Sequence, residues 1–373
     1  MRSRFIYGLL ILLSFLLNKH AHGQDPENFE RRGFHNLPVS DQIYRKLGIH
    51  DGNLVRTTFL NTGQVNLFDN PPNGEWPKGS GHFYMDGIAV LIATEARDTT
   101  GQIFHSVVTE YRERTDPEPR IGNKEWGCEP LPGFAAGGQD SPALSDKPQT
   151  WPPFWPKMTV GADSGKGVEW DGNWNGFFGL NQFQADQESY FYYDDRNDEE
   201  FAFFPDPTDS TRRGIGVLVL VRGLQWSQVL AEDVIFWLYE ITNISLFDRE
   251  KMAFGMRGDS GIGGRAEQDD DVLEWDTLLD IAFSRDNDGI GFGGFQPLAV
   301  AGYAFLESPG NQFDNQDNDD DGIIDESRDN DAGTFTFDPN EGVANPAQFE
   351  IFYGRRPKPH WLGDEDQDWN PER

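Results

Sequence analysis

Cysteine is almost absent. Cys128 is the only one in 373 residues, so no intrachain disulfide can form. If the chain is exported, its rigidity has to come from core size or bound metal rather than from cross-links. Basic residues are scarce too: 31 Lys and Arg stand against 63 Asp and Glu, for a formal net charge of -32. A surface this acidic repels nucleic-acid phosphates and anionic headgroups, so neither is expected as a partner. Divalent cations, neutral glycans and other surface proteins remain compatible with it. Beyond the N-terminus no stretch is long and apolar enough to cross a bilayer. No HExxH, Walker A or paired CxxC motif occurs, which removes the main support for a zinc hydrolase, an NTPase or a zinc ribbon.

The N-terminus reads as a secretory leader. Met1-Arg2-Ser3-Arg4 is basic, Phe5 to Leu17 is apolar but short, and Ala21-His22-Gly23 places small residues before a cleavage point at Gln24. Loss of Arg2, Arg4 and Lys19 with residues 1–23 leaves a charge of -35. No cysteine beside the cleavage point marks a lipid anchor. The expectation is a bacterial protein that is secreted, surface-located or periplasmic, with no membrane insertion after leader removal.

Residues 24–52 read as a polar, extended lead-in, and residues 53–116 as a β region. Leu54 to Leu60 predicts a strand, and Ile88 to Ala93 with Ile103 to Val108 predicts a hairpin around Asp98-Thr99-Thr100-Gly101. Residues 117–172 are rich in Pro, Gly and Trp; proline cannot serve a central strand, so this is expected to be a long loop covering a sheet edge, pinned by its indoles. Residues 173–310 carry the main strands. Gly216 to Arg222 is the continuous β-branched run of a strand covered on both faces. Asp233 to Thr242 reads as a strand by its aromatics, with Lys251 to Met256 as the next hairpin arm. The fold class expected is all-β, one large or two packed sandwiches with long Pro/Gly/Trp-rich loops. Residues 311–333 form an Asp-rich loop and residues 334–373 a C-terminal segment ending in a second acidic run, as if continuing into further modules.

Oxygen chemistry concentrates in two places. In residues 311–333, taking Asp317 as loop position one puts Asp319 and Asp321 at three and five, Gly322 at the sharp turn, the Ile323 carbonyl at seven and Asp325 at nine, the order in which an EF-hand-type loop wraps calcium. Arg328 stands where the closing Glu of an EF-hand belongs, so the loop is not a regular one. A second cluster surrounds one predicted strand: Asp269-Asp270-Asp271, Glu274, Asp276 and the Asp286-Asn287-Asp288-Gly289 turn. Within it Asp269, Asp271, Asp276, Asp286 and Asp288 are the candidate ligands if the strand bends back; ordinary turn-forming Asp and Asn are the alternative. Gly258-Asp259-Ser260-Gly261 has the form of a serine-protease motif but no histidine in a matching context, and reads as a glycine-rich turn. Gly289 to Gly294 holds a G-x-G-x-x-G spacing followed by Phe295-Gln296-Pro297, which cannot open the required helix, so it reads as a loop. With so many carboxylates, the sequence does not single out a catalytic pair. Trp151, Trp155, Trp170 and Trp174 are candidates for stacking on sugar rings, against the alternative that they form a core.

The run from Asp314 to Glu326 resembles the Asp-rich calcium loops of thrombospondin type 3 repeats and the "DGxDNDxDGxxDE" segments of exported bacterial proteins. That resemblance implies that Glu326, Asp329 or Asp331 closes the calcium shell. The stretch from Asp233 to Pro309, with "FWLYEITNIS" and "DDDVLEWDTLLDIAFSRDNDG", resembles a β-rich region of exported Gram-negative proteins that carries no assigned activity. Together these readings lead to an exported, calcium-stabilised structural or adhesion module without catalysis of its own, with a glycan-binding or glycan-cleaving module as the other possibility.

Overall fold

The computed structural model describes residues 37–97, 100–111, 127–161, 163–198, 212–245, 249, 252–276, 281–304, 306, 335–341, 343, 345–354 and 356–361. The chain divides into two units, Met1–Tyr303 and Ala304–Arg373. It is all-β, built of antiparallel sheets with one α-helix among the described residues.

The first unit opens with the paired strands β1 (Leu47–His50) and β2 (Thr57–Leu60), then β3 (Met85–Arg97) and β4 (Ile103–Thr109). Four two-residue strands follow: β5 (Glu129–Pro130), β6 (Ala143–Leu144), β7 (Asn175–Gly176) and β8 (Gly179–Leu180). The remainder is β9 (Gln187–Asp194), β10 (Val217–Gln225), β11 (Phe236–Asn243), β12 (Met252–Ser260), β13 (Val272–Asp276), β14 (Ile281–Arg285) and β15 (Ala301–Ala304), the last ending at the unit boundary. One sheet runs β11-β10-β9-β5 with β6 also on β9, a second β12-β3-β4, a third β13-β14-β15.

Strands β9 and β10 are the centre, and every residue of both is buried. Side chains alternate across a strand. Val217, Val219 and Val221 therefore join Phe191 and Tyr193 on one face, against Phe59, Val90, Ile92 and Val108 of the facing strands. Leu218, Leu220, Tyr190 and Tyr192 point the other way, onto Leu131, Phe134, Trp155 and Trp174 of the Pro/Gly/Trp-rich stretch. The first face makes a sandwich core. On the second, the long loop stands in for a further sheet, while β5 and β6 cap the edge of β9.

A satisfied polar network ties that loop down. Arg222 Nη1 donates to Glu188 Oε1 at 2.5 Å and to the Asn175 carbonyl at 2.6 Å, with the guanidinium 4.1 Å above the Tyr190 ring. Trp174 Nε1 donates to Glu188 Oε2 at 3.0 Å, and the Tyr192 hydroxyl donates to Asp163 Oδ2 at 2.9 Å. Arg222, Glu188 and Asp163 are all buried, and each meets several polar partners there.

Three expectations change. The lead-in is ordered at its end: β1 pairs with β2, and His50 is fully buried. Strand β12 pairs with β3 along all nine of its residues instead of forming a hairpin with the eight-residue β11. Gly258, Asp259 and Ser260 end β12 through a register shift at Asp259/Ser260, and the turn begins at Gly261. In the second unit, β16 (Phe335–Thr336) pairs with β17 (His360–Trp361), and α1 (Pro346–Tyr353) starts at a proline, whose missing N–H is tolerated there.

Candidate metal centre

The acidic run before β13 does not alternate like a strand. Gln268–Asp270 forms a 3-10 turn, and Asp271 leads out of it into β13. Strands β13 and β14 pair from Asp276↔Ile281 at the closed end to Val272↔Arg285 at the open end. Continued by one residue, this register sets Asp271 opposite Asp286. The chain then turns through Asn287-Asp288-Gly289, with Gly289 at φ 77°, where a side chain would be strained. Asp286 Oδ1 accepts the Gly289 N–H, and Asp288 Oδ1 accepts the Ile290 N–H at 2.9 Å.

One carboxylate oxygen from each of Asp270, Asp286 and Asp288 lies within 4.8 Å of the others. Oxygens sharing a calcium ion at about 2.4 Å are at most about 5 Å apart, so the triad has the dimensions of one cation's shell. Asp286 decides whether that matters. Its side chain is 7% exposed, and its Oδ2 accepts no hydrogen bond among the described residues. A buried carboxylate oxygen without a donor costs about 1–3 kcal/mol or more, and a bound cation removes that cost. The donors are all carboxylate oxygens, which suits a hard ion rather than zinc or copper. Asp271 stands beside the triad: its Oδ2 accepts the Ile262 N–H at 3.0 Å, and its Oδ1 is buried with no hydrogen-bond partner among the described residues. Burial holds the Asp271 carboxyl above its ordinary value against hydrogen bonds from the Ile262 N–H and the Ser260 hydroxyl, and the charges of Asp286 and Asp270 add to the rise.

The residues expected from sequence are thus sorted. Asp286 and Asp288 come together, and their third partner is Asp270, not Asp269, which is exposed. The tight turn replaces the two-residue alternation that would have grouped Asp269 with Asp271. Asp276 is no ligand here: it lies at the closed end of the hairpin, five residues from Asp271, a span of about 16 Å along a strand. Glu274 is held by Arg285, whose Nε donates to it at 2.8 Å. Asp317, Asp319, Asp321, Ile323, Asp325 and Glu326 lie outside the described residues.

No protein-family model, curated protein or solved structure matches the chain.

The tryptophans anchor the loop. Trp155 and Trp174 are buried, with Nε1 donated to the Asn173 carbonyl and to Glu188. An enclosed indole has no face to offer a sugar ring, so these two leave the glycan set. Trp151 is half-buried, donates to the Leu144 carbonyl at 2.6 Å and stacks on Phe183; half-buried Trp170 lies under Lys166 Nζ at 4.4 Å.

Proposed function

We propose that this chain is an exported, calcium-stabilised β-sandwich module of the bacterial surface or medium, serving structure or adhesion without catalysis of its own. The observation that carries the reading is the buried Asp286 Oδ2, without a donor among the described residues, at the edge of the Asp270, Asp286 and Asp288 triad. The absence of disulfides in a chain with a leader-like N-terminus, and the calcium-type spacing from Asp317 to Glu326, support the same reading. No helix among the described residues is long and apolar enough to cross a membrane.

Calcium acts here by linkage: it binds the folded loops and not the unfolded chain, so it stabilises in proportion to the logarithm of its excess over Kd. At a hundredfold excess this is about 2.7 kcal/mol. Stripping the full chain with a chelator lowers its melting temperature, and added calcium restores it. A melting temperature indifferent to both treatments overturns the reading.

A further inference from the structure

We infer that the surface of residues 172–185 binds a neutral glycan, with the exposed rings of Phe177, Phe178 and Phe183 stacking on the C–H faces of sugar rings and the amides of Gln182 and Gln184 meeting their hydroxyls. This goes beyond the calcium reading and does not rest on it.

Charged residues make up 25% of the chain, yet none stands between Asp171 and Asp186. Both flanking carboxylates are turned to partners of their own: Asp171 Oδ1 takes Lys157 Nζ at 3.0 Å and the Trp155 N–H at 3.1 Å, and Asp186 Oδ2 takes the Ser227 N–H at 2.5 Å. The uncharged stretch nevertheless lies on the outside. Phe177 is 50% exposed, Phe178 40% and Phe183 53%, and Gln182 and Gln184 are exposed beside them. Phe177 and Phe178 form the two-residue turn between β7 and β8, a place where Gly, Asn and Asp are usual, so the turn itself does not call for aromatics.

The loop that presents these rings is fixed in advance. The Phe177 N–H donates to buried Glu188 Oε1 at 2.9 Å, the Trp174 N–H to Asn181 Oδ1 at 2.8 Å, and the Gln182 N–H to the Gly179 carbonyl at 3.1 Å. Trp226 Nε1 donates to the Gln184 carbonyl at 2.9 Å, and Phe183 stacks on Trp151 with the rings 19° from parallel. Groups held in place before binding lose less freedom when a ligand arrives.

The chemistry of the stretch selects the occupant. A basic partner finds no carboxylate in it, and an anionic one no ammonium or guanidinium. A second copy brings the same net charge of -32, which opposes self-association. A lipid or a wholly apolar segment would strip the two glutamine amides of water without replacing their hydrogen bonds. An uncharged sugar offers C–H faces to the rings and hydroxyls to the amides.

The test is affinity electrophoresis of the full chain through native gels containing, in turn, an uncharged β-glucan, an α-glucan or a mannan, with an anionic polysaccharide as control. At least one neutral polymer retards wild type. Phe177→Ser combined with Phe178→Ser, or Phe183→Ser alone, weakens that binding on the order of tenfold with little change in melting temperature. Phe154→Ser, whose ring is 72% exposed in the same long loop but outside the uncharged stretch, is retarded as wild type is. These variants leave the response of the melting temperature to calcium unchanged, so the two readings fail separately. Free migration of wild type through all three neutral polymers overturns the inference, as does retardation by the anionic polymer alone or retardation undiminished in the phenylalanine variants. A wild-type dimer in sedimentation that those variants split would make the patch a contact between copies and overturn it too.

Discussion

His50 sits wholly inside the first unit, its ring 4.8 Å from Phe59 and edge-on to Trp237 at 5.1 Å. Nδ1 lies 3.2 Å from Gln225 Oε1 and Nε2 lies 2.9 Å from the Ser189 hydroxyl. An amide oxygen only accepts, so the neutral ring carries its proton on Nδ1 and takes the serine proton at Nε2. Burial pushes the imidazole down to about 4, against the Gln225 hydrogen bond. The unfolded chain therefore gains a proton as pH falls through the ordinary value near 6.5, and the folded chain resists until about 4. The contribution is complete above that upper value and lost toward the lower, on the order of 3 kcal/mol in all. Asp195 works in the opposite sense: burial raises its carboxyl to about 6, so it destabilises as pH rises from its ordinary value of 3.8 toward that point. The two slopes oppose each other between about pH 4 and 6, and a variant isolates one. Urea denaturation of His50→Gln is expected to lose less stability than wild type between about pH 6.5 and 4.5, whatever its absolute stability. Equal slopes would contradict the assignment of a buried, neutral imidazole.

At the level of elements, the loop over β9 and β10 acts as a packing layer, and its indoles carry that load. Trp174 is fully buried between Trp151 and Trp155, and its Nε1 serves Glu188. Trp174→Ala removes a large buried ring and leaves Glu188 Oε2 short of a donor, at a cost of about 3–5 kcal/mol. Phe154→Ser, in the same loop but 72% exposed, is expected to change stability by no more than about 0.5 kcal/mol. Chemical denaturation of the two variants measures this directly, and equal effects would mean the loop does not pack as a core layer. The sequence made this element legible because a β-branched run such as Val217 to Val221 demands cover on both faces, and the neighbouring Trp-rich stretch could supply it. Partner choice was less legible: β12 lies next to β11 in sequence yet joins β3, a pairing that sequence proximity does not reveal. β1 was hidden because His50 is buried through hydrogen bonds, which polarity alone does not reveal. In the candidate metal centre, Asp286 and Asp288 were readable from their turn. Asp270 was not, because a 3-10 turn, rather than strand alternation, decides which carboxylate of the run faces them.

Across the whole chain, the excess of acid over base leaves carboxylates in mutual repulsion, and without disulfides there is no covalent brace against it. Wherever that charge is solvated, it is screened beyond about 8 Å at physiological salt and does not bear on the fold. The charges that do matter are those removed from water. Arg222, Glu188 and Asp163 satisfy one another in the sandwich, whereas Asp286 and Asp271 retain buried oxygens with no hydrogen-bond partner among the described residues. The proposed calcium site rests on that contrast. The most direct test is a calorimetric calcium titration of chelator-stripped full-length protein beside its Asp286→Asn variant, in physiological salt. The account predicts saturable binding in wild type and loss of one site, or weakening on the order of tenfold or more, in the variant. Heats of dilution alone in wild type, or identical isotherms for the two proteins, would contradict it.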